Sequence, residues 1–398
     1  MASDTRTTDR MTAAQSATGA LAQNRSIAEP RRALSLVATR FMLVQPDAAA
    51  PADWQIALDQ LFGWLGLSVD RIPERAYSGG KLARWAKAGA GAKPCAPVFA
   101  PWQAWSPAAF PLGGLPGLPQ ADWTVSYLVD PGAGLGGAAA RGIDLALMSP
   151  LPSACTVEDA HSARVPQPHV LRAMLRVARA QGRPRIAIIG HARQRNAIAR
   201  QLLGADRALT RDQQVIDVLT IEEALRPLMA GAAPWDAVIA MPDVRSTVFT
   251  MLAETTGVNG PWPMAWYREG ARPHMALITS EMAGEGQRRI ALDASALVQA
   301  LALYCRNAGA NHAASRLYDS WARLRDGGVT TIGRASDAPY ARQVSDAEAV
   351  AMLTKGLAVS KRAVLPWRAL GDASAERANR QPQALRLVAA PSPTLSHQ

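Results

Sequence analysis

The sequence predicts an α/β protein, because short runs rich in β-branched residues alternate with segments of helical periodicity through the middle of the chain. Several helical segments end at glycine, which commonly terminates a helix. The predicted strands are SLVATRFMLVQ, CAPVFA, TVSYLV, IDLALM, RIAIIG, QVIDVL, DAVIA and HMALITS. The predicted helices are ADWQIALDQLFGWLG, PHVLRAMLRVARAQG, RQRNAIARQLLG, TIEEALRPLMAG, STVFTMLAETTG, ASALVQALALYCRNAG and ASRLYDSWARLRDGG.

The composition is that of a globular protein. The chain has 398 residues, enough for one large or two medium domains, with 48% hydrophobic and 19% charged residues. No apolar run approaches the length of a membrane span. Cys95, Cys155 and Cys305 show no paired spacing that would indicate a disulfide framework or a zinc site. We therefore expect a soluble, cytoplasmic protein that does not enter a membrane.

The formal net charge of +11 raises the question of an anionic partner. The arginines are scattered along the chain, and a dense group near its end, KRAVLPWRALGDASAERANR, is mixed with acids. A solvated surface that serves solubility is the favoured interpretation, and nucleic-acid binding is not expected. Binding of nucleic acid or an acidic partner through the basic surface remains an alternative that rests on net charge alone.

The sequence contains little evidence of the common catalytic and nucleotide-binding motifs. Gly132, Gly134 and Gly137 form a G-x-G-x-x-G directly after TVSYLV, but only AAAR separates them from the next strand. A dinucleotide-binding fold needs a full crossover helix there, so a glycine-rich loop is favoured. The chain contains no G-x-S-x-G, H-E-x-x-H or P-loop motif, which disfavours nucleophilic, zinc-hydrolytic and P-loop chemistry.

The order of elements from Arg141 to Gly309 resembles the isocitrate and isopropylmalate dehydrogenases, the metal-dependent β-decarboxylating family. RGIDLALMSPLPSACT is similar to the family strand that leads to a substrate arginine and a catalytic tyrosine. QQVIDVLTIEEALRPLMAGAAPWDAVIAMPDVRSTVFTMLAETTG resembles the metal-binding half, and SEMAGEGQRRIALD resembles the adenine-side loop. The resemblance implies a two-domain fold with a mixed, largely parallel sheet flanked by helices.

The resemblance also implies a domain organisation. Residues 36–120 and 258–360 would form the first, nucleotide-side domain. Residues 121–257 would form the second domain, which makes the dimer contact and carries an extended arm at 149–170. Two further segments, 1–35 and 361–398, are expected to be a disordered leader and a disordered tail.

The metal site is where the chain departs most from the family. Family members oxidise a 2-hydroxy acid with NAD or NADP and use a divalent metal, which prefers carboxylate oxygens. The resemblance places the two helix carboxylates of that site at Ser246 and Thr250, while Asp217 matches a third aspartate. One carboxylate is not expected to hold magnesium or manganese tightly, so a divalent metal is not expected.

The positions that match the substrate and catalytic residues have changed as well. Ser149 stands at the substrate-arginine position, Thr156 at the tyrosine position and His191 at the lysine position. Without arginine clamps a di- or tricarboxylate would bind poorly. Histidine can still relay protons near neutral pH, which makes His191 and Asp217 the vestigial catalytic candidates.

The cofactor side is partly retained. Ala283, Gly284 and Gly286 match the family's adenine-side loop and are the candidate cofactor-binding residues, while Leu292 and Asp293 replace the family asparagine and proline. Binding of NAD or NADP therefore stays open.

Two functions from different classes follow from these changes. The favoured one is a catalytically inactive family member, a pseudoenzyme that serves as a partner, regulatory or scaffold subunit in a homodimer or in a heterodimer with a related subunit. The alternative is an active NAD(P)-dependent oxidoreductase on an altered 2-hydroxy acid, with His191 as base and Asp217 orienting it.

Overall fold

The fold is taken from a computed structural model, which describes most of the chain between residues 41 and 371. The described ranges are 41–45, 52–67, 69–73, 98–105, 121–130, 142–158, 163–204, 214–230, 234–258, 260–269, 273–282, 288–290, 293–334, 339–356 and 365–371.

A mixed sheet forms the centre of the molecule, and parallel pairs outnumber antiparallel ones among its described strands. The strands are β1 Phe41–Gln45, β2 Val69–Pro73, β3 Val98–Trp105, β4 Trp123–Asp130, β5 Ile143–Pro150, β6 Cys155–Glu158, β7 Ala163–Pro166, β8 Arg185–Gly190, β9 Val215–Thr220, β10 Ala237–Ala240, β11 Trp262–Arg268, β12 His274–Glu281, β13 Arg288–Ile290, β14 Val329–Thr330 and β15 Arg342–Gln343. The sheet order is β2-β1-β3-β12-β11-β4-β5-β10-β8-β9, with β13 added beside β3. The pairs β6–β7 and β14–β15 form two small separate sheets.

Eight α-helices flank the sheet in the described part of the chain. They are α1 Ala52–Leu65, α2 Pro168–Ala180, α3 Ala192–Gly204, α4 Ile221–Met229, α5 Arg245–Thr256, α6 Ala294–Asn307, α7 Asn311–Asp326 and α8 Asp346–Thr354. The helix ends follow ordinary capping chemistry: Thr220 and Glu223 form a capping box at the start of α4, and Gly257 ends α5 with a φ of 65°. The predicted α/β class and all seven predicted helices are confirmed, and no described helix is long and apolar enough to cross a membrane.

The sheet order separates the strands of the two predicted domains. The strands β1, β2, β3, β11, β12 and β13 of segments 36–120 and 258–360 occupy one half, and β4, β5, β8, β9 and β10 of segment 121–257 occupy the other. The two halves meet where β4 pairs with β11 in antiparallel fashion. The domain division itself stays a prediction. The predicted arm at 149–170 contains the antiparallel hairpin β6–β7, which has no third strand among the described residues.

A buried arginine cluster joins these halves near the start of α6. The Arg334 guanidinium lies 3.2 Å from the Asp130 carboxylate and 4.1 Å from the ring centroid of Trp262. Arg325 approaches the same carboxylate at 3.5 Å and donates to the Arg334 carbonyl at 2.7 Å. Burial lowers the pKa of Arg334, while the nearby Asp130 and Asp293 carboxylates oppose that shift.

Residues 365–371 differ from the expected tail. The Ala-, Pro- and Gln-rich composition of residues 361–398 predicts a disordered tail, yet Trp367 is buried and packs its ring against Tyr127 and Tyr318. The following turn, Arg368–Leu370, is tied to the sheet because the Arg368 backbone N–H donates to Asp144 at 2.8 Å. One large aromatic side chain therefore anchors a segment whose composition suggests no structure. The rest of the leader and tail, 1–35, 361–364 and 372–398, lies outside the described residues.

Candidate functional site

His191 lies at the carboxyl end of β8, where parallel-sheet proteins commonly bind ligands. Because β5, β10 and β8 run parallel, their carboxyl ends share one edge of the sheet. Asp243, in the turn after β10, reaches His191 there: the imidazole Nε2 is 3.4 Å from the Asp243 Oδ2, and the side chains are 53% and 44% exposed. The structure thus brings together a solvent-accessible histidine and carboxylate.

Gln194 holds this pair in place. Its side-chain carbonyl accepts the backbone N–H of His191 at 2.8 Å, and its amide nitrogen donates to the two Asp243 carboxylate oxygens at 3.2 and 3.1 Å. The same nitrogen lies 3.0 Å from the Arg164 carbonyl. Gly190 makes room for this arrangement, because a Cβ at that position would lie 2.7 Å from the Gln194 carbonyl oxygen.

Asp217 lies apart from His191 in the same chain. In the β8–β9 register Asp217 is opposite Ala187, four residues before His191. At the usual rise of a strand this is a separation of about 13 Å along the sheet. The Asp217 side chain is exposed and accepts a hydrogen bond from the Trp235 indole at 2.8 Å.

Ser246 and Thr250 lie one turn apart on α5, directly after the Asp243 turn. Ser246 is half-buried and Thr250 is exposed, so their hydroxyl groups occupy one solvent-accessible face of this helix. In the described part of the chain, no three His, Cys, Asp or Glu side chains lie close enough to bind one metal ion.

Arg245, the first residue of α5, points into the protein. Its side chain is fully buried and forms a bidentate ion pair with Glu281 at the end of β12, which is also fully buried. Ser126 on β4 completes the cluster: its hydroxyl donates to Glu281 and accepts from Arg245 at 3.0 Å. A buried charge pair needs close pairing and further hydrogen bonds to offset its loss of hydration, and these contacts fix the start of α5 against β4 and β12.

Ser149 and Thr156, which the sequence resemblance places at the family's arginine and tyrosine positions, lie on β5 and β6. Ser149 is fully buried, and its hydroxyl donates to the Pro150 carbonyl at 3.3 Å, while Thr156 is exposed. Beside Thr156, burial raises the pKa of the Cys155 thiol to about 12, with a further increase from the Asp243 carboxylate. A thiol with that pKa stays protonated near pH 7 and is a poor nucleophile.

The predicted cofactor residues Ala283, Gly284 and Gly286 lie outside the described residues, as does Leu292. Asp293 is described and has a structural role. Its carboxylate accepts the Ala296 backbone N–H at 2.6 Å and so caps α6, and burial raises the pKa of this carboxyl group.

The fold is similar to those of two solved structures. One is isocitrate dehydrogenase from Methylococcus capsulatus, with a TM-score of 0.52 and 13% identity over 80% of this chain and 99% of that chain. The chain has an isocitrate dehydrogenase-like fold. The other is the TT0538 protein from Thermus thermophilus, with a TM-score of 0.53 and 12% identity over 83% of this chain and 71% of that chain. No family model matches the chain, and no curated protein matches it in sequence.

Sequence reasoning found His191 but missed the residues that contact it. Asp243 and Gln194 carry no motif, although Asp243 lies in the MPDV turn at the end of a predicted strand and Gln194 in the first turn of the next predicted helix. The signal that could have found them was the position of both polar residues just after the carboxyl ends of two predicted strands. The buried Arg245–Glu281 pair gave none, because nothing in a single sequence shows that two distant charges share an interior.

Proposed function

We propose that this chain is a non-catalytic isocitrate dehydrogenase-like protein that acts as a partner, regulatory or scaffold subunit. The observation that carries the proposal is the pair Ser246 and Thr250 on the accessible face of α5. The sequence resemblance places these residues at the positions of the family's helix carboxylates, and hydroxyl groups are much weaker ligands for magnesium or manganese than carboxylates.

Two further contacts support this proposal. Asp217, the match for the remaining aspartate, accepts a hydrogen bond from Trp235. Glu281 lies at the end of β12, and its carboxylate is neutralised by Arg245. Both carboxylates therefore have roles in holding the protein together.

Placing carboxylates at Ser246 and Thr250 tests the interpretation that this face of α5 corresponds to the family's metal-binding face. The double substitution Ser246→Asp and Thr250→Asp places two acids one helical turn apart on an accessible face. We expect manganese to raise the thermal unfolding midpoint of this variant by several degrees, since a ligand at about 100 times its Kd adds about 2.7 kcal/mol of stability. Thermal unfolding with and without manganese measures the effect.

The matched control is Ser246→Asn with Thr250→Asn, which has the same side-chain size without the charges and should not respond to manganese. An unresponsive Asp variant would show that this face of α5 does not match the family's metal face. That result would remove the main support for the proposed function.

A second copy of the chain, or a related subunit, is the partner that we propose. The helices α4 and α5 pack together on one face of the sheet, and the hairpin β6–β7 has no third strand among the described residues. Exposed apolar side chains mark both places: Val157 on β6 is 58% exposed and Met229 at the end of α4 is 66% exposed. Such side chains gain most from burial against another subunit.

Sedimentation velocity at micromolar concentration should show a dimer. Val157→Asp combined with Met229→Asp should shift the protein to the monomer, because two charges would be buried in the contact. Leu203, 86% exposed at the end of α3, offers the control: Leu203→Asp should leave the dimer intact. A wild-type monomer that also fails to pair with a related dehydrogenase subunit would refute the partner role.

A metal-independent NAD(P)-dependent oxidoreductase is the second candidate. The observation in its favour is the His191–Asp243 contact of 3.4 Å at the carboxyl edge of the sheet, since a carboxylate can orient a histidine that acts as a general base. In this arrangement Asp243 takes the orienting role that the sequence analysis gives to Asp217.

A further inference from the structure

The segment Ala163–Gly204 has an unusual charge composition. Its 42 residues include nine arginines and no lysine, aspartate or glutamate, although the chain's average would give about three acids in a segment of this length. This segment spans β7, α2, β8 and α3. Most of the positive charge excess of the chain therefore lies in this segment, although arginines occur along the whole sequence.

The fold places both helices of this segment on one face of the sheet. The chain passes from β5 through α2 to β8 and from β8 through α3 to β9, and both steps run in the same direction across the order β5-β10-β8-β9. Right-handed crossovers in one direction put their helices on the same side. The return step through α4 runs the other way, so α4 and the adjoining α5 cover the opposite face.

The outward side of these two helices is basic. On α2, Arg172 and Arg176 are exposed and form no hydrogen bond or ion pair with any part of the protein that the structure describes. They lie four residues apart, which is a rise of about 6 Å along the helix. Exposed arginines continue on α3 at Arg193 and Arg200. We name this surface, carried by Arg172, Arg176, Arg193 and Arg200, the arginine face.

Not every arginine of the segment belongs to the arginine face. Arg183 is fully buried and binds Asp144 at 2.6 Å, and Arg195 forms an ion pair with Glu223 at 2.8 Å. Arg179 lies near the end of α2, where it donates to Gln214 at 3.4 Å. Structural roles thus account for some of these charges, while Arg172 and Arg176 have none that the fold requires.

The side chains of the arginine face favour one class of anionic partner over the others. Stable protein interfaces have an apolar centre and interfacial membrane helices carry apolar anchors, but the large exposed apolar side chains on α2 and α3 are limited, in the described residues, to Leu203. The segment has no Phe, Tyr or Trp on which single-stranded bases could stack. Arginine binds phosphate in bidentate geometry, and protein–DNA interfaces are polar and strongly basic.

We propose that the arginine face binds the phosphate backbone of duplex nucleic acid without sequence preference. The helices α2 and α3 have 13 residues each, so each helix is about 20 Å long and could lie along about six base pairs. This inference does not rest on the proposed subunit role, because none of the four arginines lies on α4, on α5 or in the hairpin β6–β7.

Fluorescence anisotropy with a labelled 20-base-pair duplex of arbitrary sequence tests the proposal. The full chain should bind, with an affinity that falls steeply as salt increases. Arg172→Gln combined with Arg176→Gln removes two phosphate contacts, so the slope of log K against log salt should become shallower by about 1.8. The same relation predicts a loss of affinity on the order of 100-fold at 50 mM salt. Both substitutions retain good helix propensity.

The matched control removes two positive charges elsewhere. Arg342→Gln combined with Lys355→Gln lies on β15 and after α8, both positions are exposed, and this variant should bind the duplex like the wild type. Equal losses in both variants, or no binding by the wild type at 50 mM salt, would overturn the proposal. Tighter binding of polyglutamate than of the duplex would assign the arginine face to an acidic protein and would overturn it too.

Discussion

Glu281→Gln is expected to lower the free energy of unfolding by about 3–5 kcal/mol, because it leaves the buried Arg245 guanidinium without its counter-ion. Both side chains are fully buried, and the Ser126 hydroxyl that contacts both of them cannot replace a negative charge. Urea unfolding should show a lower midpoint with an unchanged slope. The size of the effect follows from the environment, since the same ion pair at the surface would contribute little.

A matched surface pair provides the control for Glu281. Arg342 and Glu348 lie 2.8 Å apart with side chains 70% and 45% exposed, so Glu348→Gln should change stability by less than about 1 kcal/mol. Replacing both buried partners with Arg245→Met and Glu281→Leu should cost less than Glu281→Gln alone, because no charge is left unpaired. A loss as small for Glu281→Gln as for Glu348→Gln would show that the Arg245 charge is compensated in another way.

Asp130→Asn should have a comparable effect, with a loss of about 3–5 kcal/mol. Asp130 is 7% exposed and faces two buried guanidinium groups, Arg334 at 3.2 Å and Arg325 at 3.5 Å. Without its charge, the two arginines would repel each other in a region where Asp293 is the other nearby carboxylate. Urea unfolding again measures the loss.

Removing one of the two facing charges should rescue this variant. Asp130→Asn with Arg325→Met is expected to be more stable than Asp130→Asn alone, and the double-mutant cycle gives the coupling between the two residues. If the two losses simply add, then the Arg325–Asp130 contact does not explain why Asp130 is needed, and Arg334 alone must account for it.

Hydrophobic periodicity predicted seven of the helices and eight of the strands, whereas the short strands β2, β6, β7, β13, β14 and β15 were not predicted. The longer strand β11 was not predicted either. Its sequence WPMAWYR contains Pro263, and proline argues against a strand in the middle of a sheet. The structure accommodates this proline because pairing with β4 begins only at Met264. The short helix α8 was missed as well, because DAEAVAMLT shows little helical periodicity, although Ser345 before it and the acids Asp346 and Glu348 in its first turn are signals of a helix start.

The candidate site was predictable only as positions along the chain. The sequence placed His191 at a strand end and Ser246 and Thr250 on one helix face, and the structure has them there. It could not show that His191 meets Asp243, because that contact depends on two parallel strands that lie next to each other. The arginine face was hidden for a related reason: its charges form one surface only when α2 and α3 lie on the same side of the sheet.

Thermal unfolding of the wild-type protein with manganese, NAD, NADP and a series of 2-hydroxy acids that includes isocitrate tests the central claim most directly. Any ligand of the native state raises the unfolding midpoint by mass action. A non-catalytic subunit predicts the same midpoint with manganese and every 2-hydroxy acid, alone and combined. A rise with manganese and a 2-hydroxy acid together would contradict the account, and loss of that rise in His191→Ala would identify the protein as an oxidoreductase.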